Sequence, residues 1–197
     1  MVLGANKIVG MINDGVEVET KDKDGNLILR YKPLIEGLES SQIEGIEGTT
    51  VDLRLGAVYS PTGYAELLRK SRVTPKIELV MDIEKEPDGV LHINPGEFLL
   101  FQTIETVNMP KDLFAYIRPR TSLIRSCIPL ETAFISPNYQ GKLTVGMKHI
   151  GLNFTEIQMG FRILCICFFP IDGEAVPYHG VWQGDRVSTN GEIERPY

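Results

Sequence analysis

The chain has 197 residues, of which 43% are hydrophobic and 23% charged, as expected for one globular domain with a sizeable core. Its net charge of −6 disfavours a duplex-binding surface, and its three cysteines disfavour a disulfide framework. No CxxC, HExxH or HxH spacing predicts zinc, no apolar run reaches the roughly 18 residues of a membrane span, and no secretory signal pattern opens the chain. We therefore expect a cytoplasmic protein that binds neither nucleic acid nor a membrane.

The first fifty residues predict a helix followed by a hairpin. Apolar side chains recur at helical spacing over residues 5–14, and Asp14 and Gly15 mark the end of that helix. These apolar residues are Ile8, Val9, Met11 and Ile12. Residues 16–32 alternate between apolar and polar on both sides of Lys-Asp-Gly-Asn at 23–26, which is typical of a β-hairpin.

Short apolar runs between Gly and Pro turns predict a β core over residues 51–170. In chain order, the predicted strands span 51–59, 77–83, 90–93, 97–107, 114–118, 142–150, 154–157 and 161–169. Residues 63–72 fit either a short helix or an ordered loop, and residues 171–197 have little periodicity and predict a C-terminal arm. Strands at this spacing are typical of a sandwich, a barrel or a jelly roll.

Five segments, in order, resemble motifs of the dCTP deaminase and dUTPase superfamily. They are VDLRLG (51–56), the stretch 95–125 that ends in RPRTSLIR, FISPNYQGKLTV (134–145), MGFRILCICFF (159–169) and VWQGDRVST (181–189). The predicted N-terminal helix and the chain length resemble the deaminase branch more than the shorter dUTPases. Motif matches of this kind are hypotheses about fold and function, to be checked against structure.

The resemblance implies a single, mainly β dUTPase-like domain, a distorted β-barrel or jelly roll with a short N-terminal helix. Its parts would be an N-terminal helix and hairpin (1–50), a β core (51–170) and a C-terminal arm (171–197). The resemblance also implies a homotrimer or hexamer with active sites between subunits. The substrate would be a deoxynucleoside triphosphate that carries Mg²⁺ on its phosphates, without zinc.

The RPRTSLIR segment is the densest positive cluster of the chain. Guanidinium groups bind phosphate oxygens bidentately, and hydroxyls add short hydrogen bonds. By resemblance, Arg120, Thr121 and Ser122 would hold the triphosphate, and Arg125 of the same or a neighbouring subunit would lie near the reacting base. The alternative is a solvated strand end with a turn at Pro119.

The resemblance assigns substrate binding to twelve residues. They are Arg120, Thr121, Ser122, Leu123, Ile124, Arg125, Thr132, Ser136, Tyr139, Thr144, Tyr178 and Arg186. The ring of Tyr139 would pack on the deoxyribose and exclude a 2′-hydroxyl, and Gly141 would allow a close backbone approach. Alternatively, Tyr139 is a hairpin tyrosine packed on the sheet.

Two acidic residues that the resemblance leads one to expect are replaced. Ser136 stands where dUTPases have an Asp that activates water, and Gly146 stands where dCTP deaminases have a Glu. Neither a hydroxyl nor glycine can act as a general base near neutral pH. Glu131 is the remaining candidate acid, with Ser122 and Arg125 as further catalytic candidates, although Glu131 also fits a solvated loop glutamate.

Three functions remain open at this point. In the first, the chain is a dCTP deaminase with an altered acid. In the second, it is a catalytically inactive nucleotide-binding homologue or a dUTP-hydrolysing relative. In the third, it is an oligomeric β-protein whose pocket has decayed. The retained cluster at 118–125, Tyr139 and Gly141 disfavour the last of these.

Overall fold

The N-terminal periodicity folds as the sequence predicts. In the computed structural model, which describes residues 1–195, helix α1 (Ala5–Asn13) buries Ile8 and Ile12. Strands β1 (Val16–Lys21) and β2 (Leu27–Lys32) pair antiparallel to form the predicted hairpin. The last two residues of the predicted arm, 196–197, lie outside the described part of the chain.

The remaining elements are strands and two one-turn helices. They are β3 (Ile35–Glu36), α2 (Ser40–Glu44), β4 (Val51–Thr62), β5 (Glu66–Leu67), β6 (Arg72–Val73), β7 (Lys76–Asp82), β8 (Val90–Ile93), β9 (Phe98–Asn108), β10 (Leu113–Pro119), α3 (Thr121–Arg125), β11 (Leu130–Glu131), β12 (Phe134–Ile135), β13 (Gln140–Lys148), β14 (Thr155–Gln158) and β15 (Arg162–Pro170). Of the two alternatives for residues 63–72, a short helix or an ordered loop, the structure has the ordered loop, because β5 and β6 pair with each other there.

One curled sheet of nine strands holds the core. Its order is β11-β13-β9-β4-β15-β10-β12, with β3 beside β9 and β7 beside β4. All of these pairings are antiparallel, and 45% of the chain is strand against 10% helix. The predicted mainly β fold with a short N-terminal helix is therefore confirmed. None of the helices in residues 1–195 has both the length and the apolar character that a membrane crossing requires.

Strand β9 carries a bulge at the centre of the sheet. Lys142 pairs with Thr106 and Thr144 pairs with Gln102, so residues 103–105 lie opposite a single residue of β13. A bulge of this kind bends a strand and changes the direction of its two halves. It divides β9 into a half that continues toward residue 98 and a half that continues toward residue 108.

Side chains replace the backbone hydrogen bonds that the bulge removes. The hydroxyl of Thr103 accepts the Leu143 N–H at 3.0 Å and donates to the Glu105 carbonyl at 2.7 Å. Gly56 of β4 crosses the bulge so closely that a Cβ there would lie 2.9 Å from the backbone of Thr103 and Ile104. The bulge therefore requires glycine at position 56.

The Glu105 carboxylate is fully buried beneath this bulge and is completely engaged. Its Oε1 accepts from Arg54 Nε at 2.7 Å and from Gln42 Nε2 at 2.9 Å, and its Oε2 accepts the Arg54 N–H at 2.9 Å. Arg54 also donates to the Gly37 carbonyl and pairs with Glu39. One buried ion pair thus joins β4, β9 and the segment that contains α2.

Replacing Arg54 by Ala should destabilise the fold by about 3–5 kcal/mol, because it leaves the buried Glu105 carboxylate without its counter-ion. Urea denaturation measures the loss. Arg69→Ala, at an exposed loop arginine, is the control and should change the free energy of unfolding by at most about 0.5 kcal/mol. Equal losses in the two variants would contradict this role for the ion pair.

Candidate functional site

A cleft of about 850 Å³ opens on one face of the curled sheet. Its walls come from β9 and β13, from residues 133–136, from residues 61–77 and from the arm. Most of its lining side chains are apolar, among them Phe98, Leu100 and Trp182. A concave, largely apolar site with a few polar groups is the usual form of a small-molecule site.

Five of the predicted site residues meet in this cleft. They are Ser136, Tyr139, Thr144, Tyr178 and Arg186. Ser136 and Tyr139 lie in the loop between β12, which ends at Ile135, and β13, which begins at Gln140, and Thr144 lies within β13. The arm supplies Tyr178 and Arg186, which lie more than thirty residues later in the chain.

The predicted phosphate-binding segment lies elsewhere. None of residues 120–125 lines the cleft. Leu123 is buried, whereas Thr121, Ser122 and Arg125 of α3 are exposed. Arg120 forms an ion pair with Asp52 of β4, and its N–H donates to the Ile163 carbonyl at 3.1 Å.

Tyr139 both lines the cleft and is packed within the fold. Its ring lines the cleft and packs edge-on against Tyr178, with ring centroids 6.1 Å apart. Its hydroxyl donates to the Lys142 carbonyl at 2.7 Å. Burial, and then the nearby Asp185 carboxylate, raise the pKa of Tyr139 well above its ordinary value of 10.0. The phenol therefore stays protonated as a donor at neutral pH.

Gly141 permits the close backbone approach that its sequence context suggests, and the approaching chain is the arm. Its φ is +151°, and a Cβ there would lie 2.9 Å from the Asp185 nitrogen. The Gly184 N–H donates to the Gln140 carbonyl at 2.9 Å, and the Lys142 N–H donates to the Asp185 carboxylate at 2.5 Å. The arm is thus bound to the start of β13.

Trp182, the single tryptophan of the chain, is held between two arginines. The guanidinium carbons of Arg72 and Arg186 lie 4.9 and 5.3 Å from its ring centroid. Glu194 pairs with both, at 3.0 Å from Arg72 Nε. Sequence reasoning missed Arg72, Gln102 and Glu194. Gln102 donates to the Asp185 carbonyl at 2.7 Å, and no local pattern marks three residues so far apart in the chain.

The cleft contains little charge. Arg186 is the one charged residue among those that line it, and no Asp, Glu, His or Cys does so. Within residues 1–195, no three side chains of those four types come together as a metal site would require. The cleft alone can hold an apolar ring and one anionic group, but it offers no side chain that could act as a general base.

Comparison with known proteins shows the family to which the chain belongs. The family model described as dCTP deaminase-like matches residues 14–171. The chain belongs to the dCTP deaminase-like family. It is 28% identical over 185 residues to a dCTP deaminase of Natronomonas pharaonis, with 89% of each chain covered. It is 33% identical over 140 residues to a "dCTP deaminase, dUMP-forming" of Dictyoglomus thermophilum, covering 68% of this chain and 71% of the relative.

A solved structure confirms the fold of the family. The chain is similar to the crystal structure of a 2′-deoxycytidine 5′-triphosphate deaminase from Agrobacterium tumefaciens, with a TM-score of 0.57 and 15% identity. The match covers 85% of this chain and 48% of that one, so the chain spans about half the length of that structure. The predicted dUTPase-like fold is confirmed.

Glu131 lies directly beside the glycine that departs from the family pattern. Glu131 and Gly146 are partners across β11 and β13. A Cβ on Gly146 would lie 3.1 Å from the Cβ of Glu131 and 3.0 Å from the Phe98 ring. Partners across a ladder point to the same face, and so do residues two apart, so Glu131 shares the face of Thr144. Thr132 does not line the cleft, and its hydroxyl donates to the Ile117 carbonyl at 3.3 Å.

Gly141→Ala should detach the arm from β13, because the added methyl group would contact the Asp185 backbone. We expect a red shift of the Trp182 emission and faster proteolysis of the arm. Gly173→Ala is the matched control, since it shares a positive φ but has nothing within 4 Å of the added methyl. Both variants carry backbone strain of about 1–2 kcal/mol, so a response common to both would contradict the contact with the arm.

The contact between Trp182 and its arginines should weaken in acid. Desolvation opposes ionisation of Glu194, but hydrogen bonds from Arg72 and Arg186 outweigh it and hold the pKa of Glu194 below 4.5. The stabilisation is therefore complete above pH 4.5 and is lost as the pH falls through the lowered value. Trp182 fluorescence followed against pH measures this, and Glu194→Gln should remove the acid transition. A transition unchanged in that variant would contradict the assignment.

Proposed function

We propose that the chain binds a pyrimidine deoxynucleoside triphosphate and deaminates dCTP. The observation that carries the proposal is the meeting of Ser136, Tyr139, Thr144, Tyr178 and Arg186 in one apolar cleft of a dCTP deaminase-like fold. An apolar cleft with an aromatic wall suits a base and a deoxyribose. A 2′-hydroxyl brought against the Tyr139 ring would lose hydrogen bonds to water, which favours the deoxy sugar.

The phosphates bind to residues 120–125 of a second copy. In support, these residues lie away from their own cleft, and α3 exposes Thr121, Ser122 and Arg125. Arg120 is already paired with Asp52, so Arg125 is the arginine of α3 with an uncommitted charge among the described contacts. A site shared in this way needs a closed ring of copies, for which we propose a homotrimer or a hexamer built from trimers.

An aromatic cluster beside the cleft supports such an assembly. Phe134 is 61% exposed, and its ring centroid lies 5.1 Å from those of Phe114 and of Tyr116. Phe134 also lines the cleft, so the cluster is continuous with the site. Exposed apolar patches of this kind are usually covered by another protein surface.

Glu131 acts as the general base and acid. Its carboxylate takes a proton from water as the water oxygen attacks C4 of cytosine and gives that proton to N3; it then takes the proton of the new C4 hydroxyl and gives it to the leaving amine. The C4–N bond then breaks, and ammonia and the uracil carbonyl are the products. Thr144 stabilises the altered ring through a preorganised donor, while Thr121, Ser122 and Arg125 of the second copy hold the phosphates.

Magnesium enters with the substrate. Mg²⁺ prefers oxygen ligands and commonly binds through substrate phosphates with one or two carboxylates. Because no carboxylate lines the cleft, the residues present fit an ion carried on the triphosphate better than one held by the protein.

A second function is favoured by one observation. The cleft contains no acidic side chain, and Glu131 is exposed and lies beyond its lining. A homologue that binds the nucleotide without catalysis would have such a cleft. A thermal-shift screen with dCTP, dUTP and dTTP, each with magnesium, detects binding, because a ligand bound only to the folded state raises the melting temperature. Release of ammonia or pyrophosphate then distinguishes deamination, triphosphate cleavage and binding alone, and a screen without any shift would reject both functions.

Glu131→Gln should lower the rate of dCTP deamination by about 10²–10⁴-fold, since the amide cannot accept the proton from water. The thermal shift with dCTP should remain. Glu78→Gln, at an exposed glutamate of β7, is the matched control and should keep full activity. If Glu131→Gln keeps the activity of the wild type, Glu131 is not the general base, but the proposal of dCTP deamination stands. If the wild type binds dCTP without deaminating it, the second function is favoured.

A further inference from the structure

A second cavity, of about 560 Å³, adjoins the arm, and we call it the polar cavity. Its walls come from the β1–β2 hairpin, from the ends of β9 and β13, and from residues 178–185. Tyr178 lines both the polar cavity and the cleft. The proposed function does not use this cavity.

Asn108 provides the polar cavity with a buried acceptor that lacks a donor. It lines the cavity and is fully buried, and its Nδ2 donates to the Pro33 carbonyl at 2.9 Å and to Glu36 Oε1 at 2.7 Å. Both partners accept hydrogen bonds, which fixes the orientation of the amide. Among residues 1–195, the Asn108 Oδ1 is the one buried side-chain oxygen or nitrogen without a hydrogen bond. A ligand with an N–H or O–H group would satisfy it.

The polar cavity also offers donors to an anion. Lys21 and Lys32 line it, and the backbone N–H groups of His179 and Gly180 donate to no other described residue. Two carboxylates line it as well, but that of Asp185 already accepts the Lys142 N–H. The lining thus carries two ammonium groups and two carboxylates, and an anion would bind at the ammonium groups and the unpaired N–H groups.

We propose that the polar cavity binds a small phosphomonoester that also carries a hydrogen-bond donor. The phosphate would lie among Lys21, Lys32 and the N–H groups of residues 179–180, and the donor would meet the Asn108 Oδ1. A nucleoside monophosphate has both features, and the cavity has the volume of a usual small-molecule site. Because arm residues wall both cavities, occupancy of the polar cavity is coupled to the position of the arm at the cleft.

Calorimetric titration of the full chain with dUMP, inorganic phosphate and deoxyuridine tests the proposal. dUMP should bind more tightly than either fragment. The double variant Lys21→Gln/Lys32→Gln should weaken dUMP binding at least about tenfold through loss of two charge-assisted contacts. Lys23→Gln, a hairpin lysine outside the cavity lining, should leave it unchanged, and Arg186→Gln, in the cleft, reports separately on any dUMP that binds there. Asn108→Asp, checked for folding by circular dichroism, should weaken it as well.

Three results would overturn the proposal. The first is a loss of dUMP binding in Arg186→Gln with none in the lysine pair, which would place dUMP in the cleft. The second is deoxyuridine or inorganic phosphate binding as tightly as dUMP. The third is no saturable dUMP binding at millimolar concentration.

Discussion

The bulge of β9 at residues 103–105 is the constraint on which the rest of the structure depends. It bends the central strand, and it survives because Thr103 replaces the lost ladder hydrogen bond and Glu105 is neutralised by Arg54 beneath it. Gly56 of β4 has no side chain, which leaves space for the backbone of the bulge to pass close to it. On one side of the bulge, β9 lines the apolar cleft through Phe98 and Leu100, and on the other it lines the polar cavity. A straight strand would carry both sets of side chains along one flat face.

The arm divides the surface that this bend creates. It crosses β13 at Gly141, where a side chain would collide with the Asp185 backbone, and Trp182 of the arm packs against Arg72 beside the cleft. The same segment completes the wall of both cavities. Residues 120–125, in contrast, do not line their own cleft, and Thr121, Ser122 and Arg125 are exposed, which supports the proposal that a second copy completes the nucleotide site.

Sequence patterns predicted what depends on local periodicity. Helix α1, the β1–β2 hairpin and the long strands have clear apolar spacing, so their existence and approximate bounds follow from the sequence. The short elements β3, β11 and β12 have two residues each, and tertiary pairing alone defines them. The N-cap residue of helix α2 is Glu39, an uncommon capping residue, and its backbone N–H donates to the Gln42 side chain. In the site, the family motifs predicted Ser136, Tyr139 and Thr144, but the contacts of the arm with Arg72 and Gln102 depend on folding across the whole chain.

The unusual chemistry of the site is a carboxylate on β11 beside a glycine on β13. Glu131 occupies the space that a side chain at position 146 would need, so the two positions cannot both be filled without a shift. The most direct measurement is a crystal structure of Glu131→Gln with dCTP and magnesium, a variant in which the account predicts slow turnover. It should show the cytosine within hydrogen-bond distance of residue 131 and the phosphates on Thr121, Ser122 and Arg125 of a neighbouring copy. A nucleotide held within a single copy, or one whose base lies away from residue 131, would contradict the shared site and its acid.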